Sequence, residues 1–411
     1  MVPKGWCEHT LDELALVERG KFSARPRNDP RYYSGHMPFV QTGDVTSSGT
    51  YLNGFSQTLN EDGVGVSKVF PKDTILITIA ANIGDTAITA FEVACPDSVV
   101  AIQPYKDVAD VYWLKKHLET RKADLDAQST QNAQKNINLQ VLKPLLILTP
   151  PLPEQKKIAQ ILSTWDKAIT TTEKLLANSQ QQKKALVQQL LTGKKRLLDK
   201  NGERFNGEWK LSKLSKLFAR VTTKNNGQST NVVTISGQRG LIRQEDFFKK
   251  TVASETLDGY FLLKQGQFAY NKSYSNGYPM GAIKRLNRYP DGVVTTLYIC
   301  FELSDSDRSD SDFWEHYFES GHLNQGLSQI AHEGGRAHGL LNVKPSDFFS
   351  LKVPIPSFEE QQKIAAVLSS ADQEITALQQ KLNALKQEKK ALMQQLLTGK
   401  RRVKVDNKEV A

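Results

Sequence analysis

Glu360-Gln361-Gln362-Lys363-Ile364-Ala365, running on to Leu396-Leu397-Thr398-Gly399-Lys400, is the second copy of a stretch the chain already carries. The first copy begins Glu154-Gln155-Lys156-Lys157-Ile158-Ala159 and ends Leu190-Leu191-Thr192-Gly193-Lys194. The offset, 360 − 154 = 206, holds from end to end without a gap. Lys183 to Lys194 matches Lys389 to Lys400 everywhere except Val187 against Met393. A repeat of that length is a duplicated unit rather than chance.

The second copy has an apolar seam. Ile364, Leu368, Ala371, Ile375, Leu378, Leu382, Leu385, Lys389, Leu392 and Leu396 are spaced alternately four and three apart, and only Lys389 breaks the apolar run. That is the a/d spacing of a coiled coil. The first copy repeats the frame with Ile158, Leu162, Trp165, Ile169, Leu176, Leu186 and Leu190, weakened by Thr172, Ser179 and Lys183. Neither copy contains Pro or Gly between its Glu and its Thr-Gly. Pro-rich starts (Pro150-Pro151-Leu152-Pro153, Pro354-Ile355-Pro356) and Gly193 and Gly399 bound them. About 38 residues at about 1.5 Å each make a rod of about 57 Å, long enough for a spacer. Two readings follow: the helices pack on each other, or each packs on its own globular domain. The gapless duplication favours the first.

The 411 residues suggest two or three domains, with 39% hydrophobic residues to build cores. Lys plus Arg exceeds Asp plus Glu by ten, a basic balance suited to a polyanionic partner. Cys7, Cys95 and Cys300 are scattered and odd in number, which fits a reducing compartment. No apolar run reaches the roughly 20 residues of a membrane span, and no signal-peptide pattern opens the chain. The expectation is a soluble, cytoplasmic protein.

Outside the copies, the first segment reads as mixed α/β. Lys21 to Tyr33 is a basic loop. Pro38 to Val45 reads as a strand closing in a turn, Ile75 to Ile79 as a buried strand, Ile83 to Ile88 as the next hairpin limb, and Val111 to Asp126 as one helix. Lys194 to Gly207 reads as an exposed connector. The second segment repeats the plan: Glu208-Trp209 echoes Gly5-Trp6, and Leu214 and Leu217 echo Leu11 and Leu14, while the interiors differ. The expected organisation is domain 1–149, helix 150–193, connector 194–207, domain 208–353, helix 354–399 and a polar tail 400–411.

No catalytic motif emerges. Gly63-Val64-Gly65-Val66-Ser67-Lys68 places Lys68 where a dinucleotide loop needs its third glycine. No GxxxxGK[ST] phosphate loop occurs. His338 follows His332-Glu333 two positions too late for a zinc HExxH. Pro290-Asp291 with Glu302-Leu303-Ser304 lacks the lysine of a nuclease, and no Asn/Asp-Pro-Pro-Tyr/Phe turn marks an adenine methyltransferase.

Pro151 to Ala159, its second copy, and the Gln-Gln-Leu-Leu-Thr-Gly ends resemble the helix regions of type I restriction-modification specificity (S) subunits. Thr42-Gly43-Asp44-Val45, the Pro71-Lys72-Asp73 turn and Ile83-Gly84 are similar to that family's target recognition domain. The resemblance covers essentially the whole chain. It implies an α+β fold of two α/β target recognition domains, joined by two long antiparallel coiled-coil helices in a pseudo-two-fold repeat. It further implies a non-catalytic, double-stranded-DNA-binding subunit whose domains read the two halves of a bipartite, asymmetric site, the helices acting as ruler. Two methyltransferase subunits and the restriction subunits would be partners. They would carry S-adenosylmethionine, ATP and Mg, with the target adenine flipped out for N6 modification. This chain would bind no cofactor or metal. Candidate DNA-binding residues are Arg25, Arg27, Arg31 and Tyr32 in the first domain. In the second they are Arg239, Arg243, Lys272, Tyr274, Lys284, Arg285 and Arg336. The alternatives are a two-domain coiled-coil scaffold for a ligand other than DNA, and an enzyme with an unrecognised site.

Overall fold

The computed structural model describes residues 2–129, 136–248, 256–333 and 341–405. The chain forms two compact units, residues 1–174 with 380–411, and residues 175–379. The duplicated stretches are helices of 39 residues each, Leu152–Leu190 and Phe358–Leu396, still 206 positions apart. Each stops at a glycine in the left-handed region, Gly193 (φ 69°) and Gly399 (φ 68°), where a side chain would strain the backbone. Beyond these glycines, the Lys195 and Arg401 amides donate back to the carbonyls of Gln189 and Gln395, both at 3.0 Å.

Both units use one frame. In the first, Cys7–Thr10 pairs with Leu146–Thr149, and the latter strand leads through prolines into the first long helix. A four-residue helix, Leu11–Leu14, then turns the chain into a sheet. Its spatial order is Ala15–Arg19, Val99–Pro104, Ile75–Thr78, Thr86–Ile88, with every neighbour antiparallel. In the second, Lys210–Lys213 pairs with Lys352–Ile355, Leu214–Leu217 is the short helix, and the sheet order is Phe218–Val221, Ile299–Leu303, Phe268–Asn271, Ala282–Arg285. Ile75–Thr78 is buried throughout, as its β-branched run requires. A short helix covers each sheet: Val111–Thr120, capped by Asp110, and Ser311–Glu319, capped by Asp310. Trp113 and Trp314 on these helices are fully buried. The inserts differ. The first unit adds a sheet ordered Gln57–Leu59, Tyr33–Phe39, Val93–Ala94, Val69–Phe70. The second adds the hairpin Val233–Ser236 with Gly240–Arg243 and the pair Phe261–Lys264 with Asp291–Val294.

Three local expectations change. The helix expected over Val111 to Asp126 is two, Val111–Thr120 and Lys122–Ser129. The break falls at Arg121, whose guanidinium donates to the Leu146 carbonyl at 3.0 Å. Thr42-Gly43-Asp44-Val45 is the start of a helix, Thr42–Ser47, rather than a strand-closing turn; the Asp44 carboxylate accepts the Gln41 amide at 2.8 Å. The connector is not free: Leu197 packs against the second unit's core, and Arg196 is half-buried.

Candidate nucleic-acid interface

The duplicated Glu-Gln pair ties each long helix to its domain. Glu154, 3% exposed, accepts the Trp6 indole N–H at 3.0 Å and both arms of Arg402 at 2.8 Å. In the second unit Glu360, 1% exposed, accepts the Trp209 indole at 3.1 Å and Arg196 at 2.6 and 2.7 Å. Two buried carboxylates are thus each satisfied by one bidentate guanidinium and one indole. The side-chain oxygens of the next residues, Gln155 and Gln361, accept the backbone N–H of Asp110 and Asp310 at 2.8 and 2.9 Å. Their amide groups donate to the Pro150 and Pro356 carbonyls at 3.0 and 3.1 Å. The motif that carries the family resemblance is therefore a structural clasp. Arg402 escaped the sequence reading and Arg196 was read only as part of an exposed connector, although the two stand 206 positions apart like the rest.

The seam residues at the helix ends enter the globular cores. Ile158, Leu162 and Leu396 lie fully buried in the first unit with Trp113 and Leu118. Leu190, Ile364 and Leu368 lie buried in the second with Trp314 and Phe348, and Leu186 packs alongside. Leu176 and Leu382 are buried, while Trp165, Ile169, Ile375, Leu378, Leu385 and Leu392 are half-buried. Within each unit the two helix segments run antiparallel, joined by polar pairs that repeat at the same offset. Lys389 binds Asp166 in the first unit, and Lys183 binds Asp372 in the second. The polar residues that weaken the seam have partners: the Ser179 hydroxyl donates to Glu374 at 2.9 Å, and that of Thr172 to the Ala168 carbonyl at 2.8 Å.

Asp166 anchors a buried network. Lys116, 1% exposed, reaches it at 2.8 Å and Glu119 at 3.0 Å, and the Tyr112 hydroxyl donates to it as well. Burial works against the Asp166 charge, but the Lys116 ammonium and the bonds from Lys116, Lys389 and Tyr112 hold its carboxyl well below the usual range. Burial also lowers Lys115 to about 8. In the second unit the position of Lys116 is taken by His316, bonded to Ser369 at 3.0 Å and 3.8 Å from Asp372. Burial lowers its pKa, opposed by Asp372.

The candidate DNA-binding residues fall into exposed and engaged sets. Arg25 is exposed but donates to the Ala24 carbonyl at 2.7 Å. Arg27 pairs with Asp97 at 2.8 Å and Arg31 with Asp29 at 2.7 Å; both guanidiniums stay largely exposed. Arg31 also lies over the half-buried Tyr32 ring. Arg239 and Arg243 are exposed, the latter over the Tyr289 ring, and Tyr274 is 64% exposed. Lys272 is half-buried against the Val343 carbonyl, with its pKa lowered by burial. Lys284 is buried on Glu319, and Arg285 binds Asp312 and Glu315. Arg336 lies outside the described residues. Lys284, Arg285, Glu315 and His316 line one cleft of about 320 Å³, whose exposed lining residues are Gln238, Arg239, Asn287, Arg288 and Glu319. No helix among the described residues is long and apolar enough to cross a membrane.

The family model "Type I restriction modification DNA specificity domain" matches residues 3–178 and again 193–387. The chain belongs to that family. It is a specificity subunit rather than an enzyme, and its two matches cover both units. It is 24% identical over 421 residues to the type I restriction enzyme MjaVIII specificity subunit of Methanocaldococcus jannaschii, covering 98% of this chain and 94% of that one. Among solved structures, the type I restriction-modification S subunit of M. genitalium superposes with a TM-score of 0.59 at 16% identity, over 95% of this chain and 96% of that one. The HsdS subunit of Thermoanaerobacter tengcongensis gives 0.51 at 16% identity, over 97% and 98%. These superpositions show the fold: α+β units with the paired long helices.

Proposed function

We propose that each unit of this specificity subunit reads one half of a bipartite, asymmetric duplex DNA site. The observation that carries the reading is one sheet-and-helix frame used twice with unlike inserts. Two unlike half-sites call for two unlike reading surfaces on one scaffold. The recognition segments are 1–149 and 208–353, linked by segments 150–193 and 354–399 that carry the long helices. The net charge of +10 and the exposed cations Arg27, Arg31, Arg239 and Arg243 supply phosphate attraction and candidate base contacts. Two methyltransferase subunits dock on this chain and restriction subunits join them. S-adenosylmethionine, ATP and Mg belong to those partners, and the complex works in the cytoplasm. The test is co-expression with a candidate methyltransferase subunit from the same operon, followed by sequencing of host DNA for N6-methyladenine. A split motif with a fixed gap is expected. No modified motif from an assembled complex overturns the reading.

A further inference from the structure

The cleft of the second unit contains more cations than it leaves free. Lys183 is bound to Asp372, Lys284 to Glu319, and Arg285 to Asp312 and Glu315. Asn287 donates to Glu315 at 2.8 Å. These charges neutralise one another, and Lys284 and Arg285 are the most buried of them. The rim differs. Gln238 and Arg239 are exposed at the tip of the Val233–Ser236 and Gly240–Arg243 hairpin, and Arg288 is exposed on the connection after Ala282–Arg285. Among the described residues, Gln238 and Arg288 donate no hydrogen bond, and the one contact of the Arg239 guanidinium is a long 3.4 Å bond to the Asp246 carbonyl.

The tip is held rigid from below. Gly240 takes the left-handed conformation (φ 75°) that lets a three-residue turn close a hairpin. The Ser236 hydroxyl accepts the Arg239 amide at 3.2 Å. The Tyr278 hydroxyl donates to the Gly237 carbonyl at 2.8 Å, and a Cβ at Gly237 would sit 2.6 Å from the Tyr278 ring. Lys284 in turn donates to the Tyr278 hydroxyl at 2.9 Å. Tyr278, held by the buried Lys284, thus fixes a turn that projects two adjacent long polar side chains beside a third. A rigid backbone presenting exposed, lightly engaged polar side chains is what reading base edges requires; phosphate attraction alone needs only mobile charge.

We infer that Gln238, Arg239 and Arg288 determine the base sequence read by the second unit. Each arginine is bidentate to guanine O6 and N7, and Gln238 is bidentate to adenine N6 and N7 in the major groove. The inference rests on the proposed half-site reading and narrows it. Lys284 and Arg285 become positioning residues, and Gln238 and Arg288 enter as readers.

The experiment maps N6-methyladenine motifs in host DNA from the full chain co-expressed with its methyltransferase subunit. It compares wild type, Gln238→Ala, Arg239→Ala, Arg288→Ala and the control Arg308→Ala, a loop arginine 88% exposed. Each cleft variant is expected to relax one position of one half-site, with discrimination there falling about 5- to 150-fold, while the other half-site stays intact. Arg308→Ala leaves the motif unchanged. The intact half-site reports in the same read-out that the complex folds and assembles. An unchanged motif in all three cleft variants overturns the inference. So does a uniform fall in methylation at an unchanged motif, which is the signature of phosphate contacts, and so does a change in both half-sites. A wild-type chain that yields no split motif overturns the half-site reading itself, and this inference with it.

Discussion

Arg196→Ala should destabilise the second unit far more than a half-exposed arginine ordinarily would. The guanidinium makes two bonds to Glu360, whose carboxylate is 1% exposed and, among the described residues, otherwise holds only the Trp209 indole. Removing the arginine leaves a buried charge with one donor. Breaking a buried pair in this way costs about 3–5 kcal/mol, and the 19% exposure of the Arg196 side chain places this case near about 3 kcal/mol. For a unit of this size that is a fall in Tm of about 6–12 °C. Restoring neutrality should recover most of the loss, so Arg196→Ala with Glu360→Gln should be markedly more stable than Arg196→Ala alone. Calorimetry on the full chain reads the midpoint. Hydrogen exchange over residues 194–213 and 357–368 reads the location. A fall under about 2 °C, or a double variant no better than the single, would refute the reasoning that Glu360 is a buried ion clasped by Arg196.

The equivalent Arg402→Ala should cost less, about 1 kcal/mol, because its side chain is 43% exposed; calorimetry that ranks it above Arg196→Ala contradicts the burial argument. Asp166→Asn should destabilise the first unit at neutral pH, since it strips Lys116 and Lys389 of a shared partner. The folded carboxyl is held below its ordinary value, so its contribution is present above the ordinary carboxylate range and disappears as pH falls through the folded value. The gap between wild type and variant, read by urea unfolding, should close in acid. His117 is buried, and burial lowers its pKa to about 4. Its neutral form therefore stabilises above the ordinary value of about 6.5, and stability falls between about 6.5 and 4; His117→Phe should flatten that slope, and an unchanged slope would locate the titration elsewhere.

Much of the scaffold was legible because duplication marks it. The Glu-Gln start, the Thr-Gly stop and the four-three spacing mark two helices that the structure places at Leu152–Leu190 and Phe358–Leu396, inside the expected 150–193 and 354–399. The buried strand at Ile75 and the echo of Trp6 in Trp209 were equally plain in the sequence. What was not legible depends on partners distant in the chain. Ser179, Lys183 and Lys389 looked like defects in a zipper until their acceptors appeared on the other helix. Lys284 and Arg285 resemble free cations in sequence because Glu319, Asp312 and Glu315 lie on another element. Gln238 and Arg288 drew no attention, because neither belongs to a basic cluster and only the fold brings them to the rim of one cleft.

The most direct test of the central claim, that two units read two half-sites independently, is an exchange of residues 208–353 for the corresponding segment of a relative with a different target. The N6-methyladenine motif of the hybrid is then mapped. The account predicts a new motif with one half-site replaced and the other unchanged. A hybrid that assembles and methylates but changes both halves, or neither, would contradict it.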